Sequence, residues 1–192
     1  MDIRDWINKM NHIIPSVDEF ITGYQNITST EISREEAITD IQKLKLEYLN
    51  NKKANNIIED LIYNTNVNQT DYFYNLRISN KFITERLNTF NNLLEFGNFL
   101  ECDVLYLNTE NNEIWIQEPG TYYYDEPDSV VKGFRNGESF LESIYLIQKA
   151  FYEKWYKGKF ISEGLLNTLY NLNDDECIEV IDKFYYDLIN FE

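Results

Sequence analysis

The chain has 192 residues, 43% hydrophobic, 16% aromatic and 26% charged, with a formal net charge of -16 at pH 7. With 15 Tyr, 12 Phe and 3 Trp it is too aromatic for a disordered chain, and 7 Gly with 3 Pro exclude collagen-like and Pro/Gly-rich classes. No apolar run approaches the ~20 residues of a membrane span, and the acidic start Met1-Asp2-Ile3-Arg4-Asp5 lacks the basic and apolar regions of a secretory signal, so a soluble cytoplasmic protein is expected.

The first third of the chain reads as helical. From Asp2 to Ile14 the apolar residues Ile3, Trp6, Ile7, Met10 and Ile13 recur at helical spacing, and Pro15 ends the stretch. A short helix over Val17–Tyr24 follows, closed near Gly23 and Asn26. Ser33 with Glu36 forms a capping box, which opens a helix carrying Ala37, Ile41, Leu44 and Tyr48 on one face. Another helix is expected over Ala54–Tyr63. Asp71–Ile78, rich in Tyr and Phe, suits a strand, and Thr84–Phe96 reads as a helix ended by Gly97.

The strongest local signal is central. Val104–Leu107 and Ile114–Ile116 are β-rich runs joined through Asn111-Asn112, residues that tolerate the left-handed backbone of a tight hairpin. Both runs are apolar on successive residues, so both sheet faces are expected to be at least partly covered, and if the Trp115 ring is in the core its truncation to Ala should cost about 3–5 kcal/mol. Tyr122–Tyr124 suit a third strand and Val130-Val131 a short edge strand. After Gly137 a long helix places Phe140, Ile144, Ile147, Phe151 and Trp155 on one face. A last helix is expected from about Asp174 to Ile189, with Asn173 as its cap and Glu176 as the reciprocal residue. The fold class is therefore α+β: a small, mainly antiparallel sheet flanked by helices, with a helical N-terminal third and a C-terminal helix. It forms a single domain over 1–192, mostly helical over 1–98 and with the sheet and its packing helices over 99–192.

The surplus charge is confined to two segments. Leu87–Val131 holds nine acids and no base, and Phe160–Glu192 holds eight acids against Lys183; the rest of the chain is neutral. Phosphate binding needs a basic footprint, so nucleic acid is not an expected partner. An acidic face steers basic proteins into contact, although acidity also serves solubility alone. Thr121 to Asp128 joins Tyr122, Tyr123 and Tyr124 to Asp125, Glu126 and Asp128, which suits either an interface anchor or, for at least one ring, the core.

Catalytic and metal signatures are missing. The single histidine, His12, sits at a helix end, where a half-buried structural role is expected. Cys102 and Cys177 lack neighbouring bases that would activate a thiol, and they read as inert core or near-core residues. There is no phosphate-cradling glycine motif and no serine elbow, so no cofactor is expected. Neither Asp125–Asp128 nor Asp174–Glu176 has calcium-loop spacing, and no metal site is expected. The chain is read as a non-enzyme without catalytic residues. The alternatives are a phage-type acidic inhibitor that mimics nucleic acid and a carboxylate-dependent hydrolase.

Asp103-Val104-Leu105-Tyr106-Leu107-Asn108, Asn111–Ile116 and Asn136–Ile144, with Ser139 as a cap and Phe140 as an anchor, resemble the later half of SMI1/KNR4-type domains of the SUKH superfamily, over roughly Phe99–Ile147. Bacterial members act largely as immunity proteins that bind and neutralise toxins, many of them nucleases or deaminases, and the resemblance brings no catalytic residues with it. It implies a bacterial immunity protein with a basic toxin as partner. The expected contact residues are Glu110, Glu113, Tyr122, Tyr123, Tyr124, Asp125, Glu126 and Asp128.

Overall fold

The computed structural model describes residues 1–70, 76–83, 92–99, 103–117 and 130–189, with the backbone alone for 187–189. Helix α1 (Ile3–Ile13) starts where the Asp2 carboxylate accepts the Arg4 N–H, and its stripe of Ile3, Trp6, Ile7, Met10 and Ile13 is buried as expected. His12 lies on its exposed side, not half-buried. Helix α2 (Val17–Thr28) begins at a capping box of Ser16 and Glu19 and runs past Gly23 to a left-handed Ser29. Gly23 does not close this helix. A Cβ there would lie 2.4 Å from the Tyr156 ring, so the glycine lets a later helix end pack against α2.

Helix α3 (Arg34–Lys43) carries the expected Ser33–Glu36 box but stops before Tyr48, which bridges Thr65 instead. The reason is side-chain competition for the backbone. The Asn11 amide pairs with both the N–H and the carbonyl of Leu46, at 2.9 and 2.8 Å. Asn66 accepts from Glu47 N–H and donates to the Lys45 carbonyl. The fully buried Asn64 does the same for Lys52. Three asparagines thus act as surrogate strands for Lys45–Lys52, and each satisfied pair removes a hydrogen-bond debt that the helix would otherwise have settled. Helix α4 (Ile57–Asn64) starts later than expected because Asn56 caps it. A 3₁₀ turn (Val67–Gln69) follows.

The sheet is an antiparallel meander, β1 (Leu76–Ile83), β2 (Leu93–Phe99), β3 (Asp103–Asn108), β4 (Ile114–Gln117) and β5 (Val130–Phe134), in that spatial order. The sheet therefore begins at Leu76, ahead of residue 99. The expected strand over Asp71–Ile78 is met from Leu76 onward, and its first five residues lie outside the described ones. The expected helix over Thr84–Phe96 is overturned where it can be followed. Leu93–Phe99 is a strand paired with Asp103–Asn108, and Gly97 sits at a register shift inside it. The hairpin of β3 and β4 forms as expected, with Asn112 at φ 61 in its turn. Val130-Val131 opens the edge strand β5.

Helix α5 (Gly137–Trp155) lies across the sheet with Phe140, Ile144, Ile147 and Phe151 buried. Its cap is Asn136, and Ser139 is the reciprocal third residue instead of the cap itself. Helix α6 (Leu165–Leu172) was not anticipated. A 3₁₀ turn (Asp175–Cys177) leads into α7 (Ile178–Ile189). Asn173 does not cap that helix. It is buried, accepts from Arg135 N–H and donates to Ser143 Oγ and the Leu169 carbonyl. One cluster joins the helices to a single sheet face, through Phe96, Phe99, Leu105, Leu107, Ile114, Ile116 and Phe134. On the other face Val104, Tyr106 and Val130 are buried, with Leu93 and Trp115 against them. Trp115 is thus half-buried on the second face and is not part of the main core.

Candidate partner-binding face

Trp115 and Lys132 are cross-strand partners on the second sheet face, and Glu113 lies on the same side of β4 two residues earlier. From this register a chain of charges runs off the sheet. One Glu113 oxygen accepts the Trp115 indole N–H at 3.0 Å, and the other meets Lys132 Nζ at 2.9 Å. Lys132 Nζ also donates to Asp174 at 2.5 Å and lies 3.9 Å from Glu176. The second Asp174 oxygen takes Arg135 Nε at 2.8 Å, while Arg135 Nη2 holds the Asn173 carbonyl at 2.7 Å.

This clasp joins the two acidic segments. Lys132 is the first base after the base-free stretch, and it is held between Glu113 of that stretch and Asp174 of the C-terminal one. A second tie runs the other way, from Lys183 of α7 to the buried Asp103 of β3. Both links spend a base inside the fold, so the carboxylates left over carry the surplus outward. Among described residues Glu110, Asp175, Glu176 and Glu179 are exposed, and Tyr186 of α7 has half its surface in solvent.

The clasp sets the ionisation of its members. The hydrogen bonds that Lys132 donates to Asp174 and Glu113 raise it above the ordinary lysine value. Burial pushes Glu113 up, but hydrogen bonds from Lys132 and Trp115 outweigh it and leave the carboxyl below its usual range. Lys132 and then Arg135 hold Asp174 low. Tyr170, whose hydroxyl donates to Asp182, is pushed up to about 12. Burial raises the Cys177 thiol, which fits an inert core residue.

A pH dependence follows from these directions. Carboxyls lowered by folding stabilise the fold above their unfolded value of about 4, and that contribution is lost as pH falls through the folded values. The raised lysine contributes fully below about 10.4 and loses its share only as pH climbs through its folded value. The melting temperature is therefore expected to be level between about pH 5 and pH 10 as far as the clasp is concerned, and to fall on acidification. Lys132→Met should flatten the acid limb in differential scanning calorimetry; an unchanged limb would mean that the clasp adds nothing.

Of the expected contact residues, Glu110 is exposed in the β3–β4 turn, its N–H donating to Asn108 Oδ1. Glu113 is engaged inside the clasp. Tyr122, Tyr123, Tyr124, Asp125, Glu126 and Asp128 lie outside the described residues, as does Cys102. Sequence reasoning missed Lys132, Arg135 and the exposed acids Asp175, Glu176 and Glu179 as contact residues. The available signal was the position of Lys132, directly after 45 residues without a base. Asp174 leads into the 3₁₀ turn Asp175–Cys177 without capping it by its side chain, which is claimed by two bases. Among the described residues no three metal-ligating side chains come together, and no helix is long and apolar enough to cross a membrane. No protein-family model, curated protein or solved structure matches the chain.

Proposed function

We propose that the chain is a cytoplasmic, non-catalytic binding protein of the immunity type, which neutralises a basic toxin of nuclease or deaminase chemistry through an acidic, tyrosine-bearing face. The observation that carries the reading is the clasp at Lys132. It ties the two acid-rich segments together while Glu110, Asp175, Glu176 and Glu179 remain exposed. A nuclease needs a cationic groove for its substrate, so an acidic ligand gains both on-rate and selectivity from the same field. Tyrosines 122 to 124 supply anchor area that loses water on contact, and Asp125, Glu126 and Asp128 the charged rim.

The test is capture of a basic protein from the native cell at rising salt, followed by association kinetics. Screening shortens from about 10 Å at 0.1 M to about 3 Å at 1 M, so the on-rate should fall steeply across that range. Glu176→Lys with Glu179→Lys should slow association at low salt by roughly tenfold and have little effect at high salt. Tyr122→Ala with Tyr124→Ala should speed dissociation while the fold persists. Recovery of no basic protein at low salt, or normal binding by both double variants, overturns the reading.

A further inference from the structure

A different patch, at the far end of α5, combines a knob with a hole. Phe160 is fully exposed, the extreme case among the large apolar side chains described. The loop that carries it is fastened at both ends. Lys159 N–H donates to the Glu153 carbonyl at 2.8 Å and its ammonium meets the Glu153 carboxylate at 3.3 Å. Leu165 N–H donates to the Ser162 carbonyl at 3.0 Å. Gly158, at φ 62 with open space around its α-carbon, lets the chain reverse just before. Phe160 stands at the edge of an open groove of about 250 Å³ between α5 and α6, which it lines together with Leu146, Ala150, Ile161 and Leu165.

We propose that this patch is a two-fold interface between two copies of the chain, each placing Phe160 in the Leu146–Ala150–Ile161–Leu165 groove of the other. A two-fold contact uses the same surface twice, so it needs a knob and a matching hole side by side on one patch. Phe160 and the groove meet that condition. Charge selects the same place. Copies of a chain with net charge -16 repel over most of their surface, but here Lys149 lines the groove and Lys159, next to Phe160, is held against Glu153. Glu163 sits between the groove's lining residues Ser162 and Gly164. Neither Lys149 nor Glu163 forms an ion pair with a described residue, so across the two-fold Lys149 of each copy faces Glu163 of the other.

Sedimentation of the full chain from about 1 to about 500 µM tests this, a range suited to a small, weak interface. A reversible monomer–dimer equilibrium is expected, and Phe160→Ala should weaken it roughly tenfold or more without changing the circular dichroism or melting temperature. Lys149→Glu and Glu163→Lys should each weaken the dimer, and the two together should restore it. A monomer throughout the range, association beyond the dimer, indifference to Phe160→Ala, or failure of the charge swap to restore association overturns the proposal. So does Phe160-dependent binding of the monomer to phosphatidylserine vesicles, which would make the knob a lipid anchor.

Discussion

Phe184→Ala is expected to cost about 3–5 kcal/mol, a large share of the roughly 5–15 kcal/mol by which a domain is stable. The ring is fully buried in α7 and stands second in a chain of five phenylalanines, between Phe99 and Phe134. It stacks on Phe99 of β2 with centroids 3.9 Å apart and meets Phe134 of β5 edge-on at 5.2 Å. Phe134 in turn meets Phe140 of α5 at 5.1 Å, and Phe140 meets Phe96 of β2 at 5.7 Å. One truncation therefore opens a cavity where α7, α5 and two strands converge, and it also removes two ring contacts worth about 0.5–1.5 kcal/mol each. Urea unfolding should show a lower midpoint with an unchanged slope. Phe184→Leu, which fills most of the volume, should cost about half as much. A midpoint unmoved by Phe184→Ala would mean that α7 does not seal the sheet.

Gly97→Val is expected to destabilise by about 3 kcal/mol, through the backbone and not through lost packing. A Cβ at Gly97 would lie 2.4 Å from the Arg77 carbonyl oxygen and 3.3 Å from Ile78 Cα, so β1 and β2 must part to admit it. The two strands meet at Ile78 and Gly97, next to the register shifts on both sides of β2. Damage should therefore be local. Hydrogen exchange should accelerate at Leu76, Arg77 and Ile78, while Ile114 and Ile116 of β4, two strands away from β2, stay protected. Uniform acceleration across the sheet would contradict this.

How far the fold was legible depended on where each element's stabilising contacts lie. The Ser33–Glu36 box, the β3–β4 hairpin and helix α5 are encoded within a few residues of themselves, and all three form where they are expected. Strand β2 is a different case. Leu87, Phe90, Leu93 and Leu94 have helical spacing, but Leu93–Phe99 gains a ladder with Asp103–Asn108, and that pairing prevails over local periodicity. Helix α7 was misplaced at its start because Asn173 followed by Glu176 resembles a capping box, whereas Asn173 is drawn instead to Arg135, Ser143 and Leu169. The site shows the same division. Charge counting located both acidic segments, but the link between Glu113, Lys132 and Asp174 spans three separate stretches of chain and has no signature in any one of them.

The three asparagine amides that hold Lys45–Lys52 separate the instructions for a segment from the segment itself. Lys45, Glu47, Leu49, Asn51 and Lys52 all face solvent, and what the asparagines Asn11, Asn64 and Asn66 read of the stretch is backbone alone, at Lys45, Leu46, Glu47 and Lys52. Those five positions are free to drift in charge, size and polarity without altering the path of the chain. The asparagines have no such latitude. Aspartate has the same shape, yet it replaces the amide donor with a second oxygen facing the carbonyl of Leu46, Lys45 or Lys52. Natural variation should therefore run freely through the stretch whose conformation matters and stop at three polar residues elsewhere in the chain, a pattern opposite to the usual one in which loops tolerate change and apolar cores resist it.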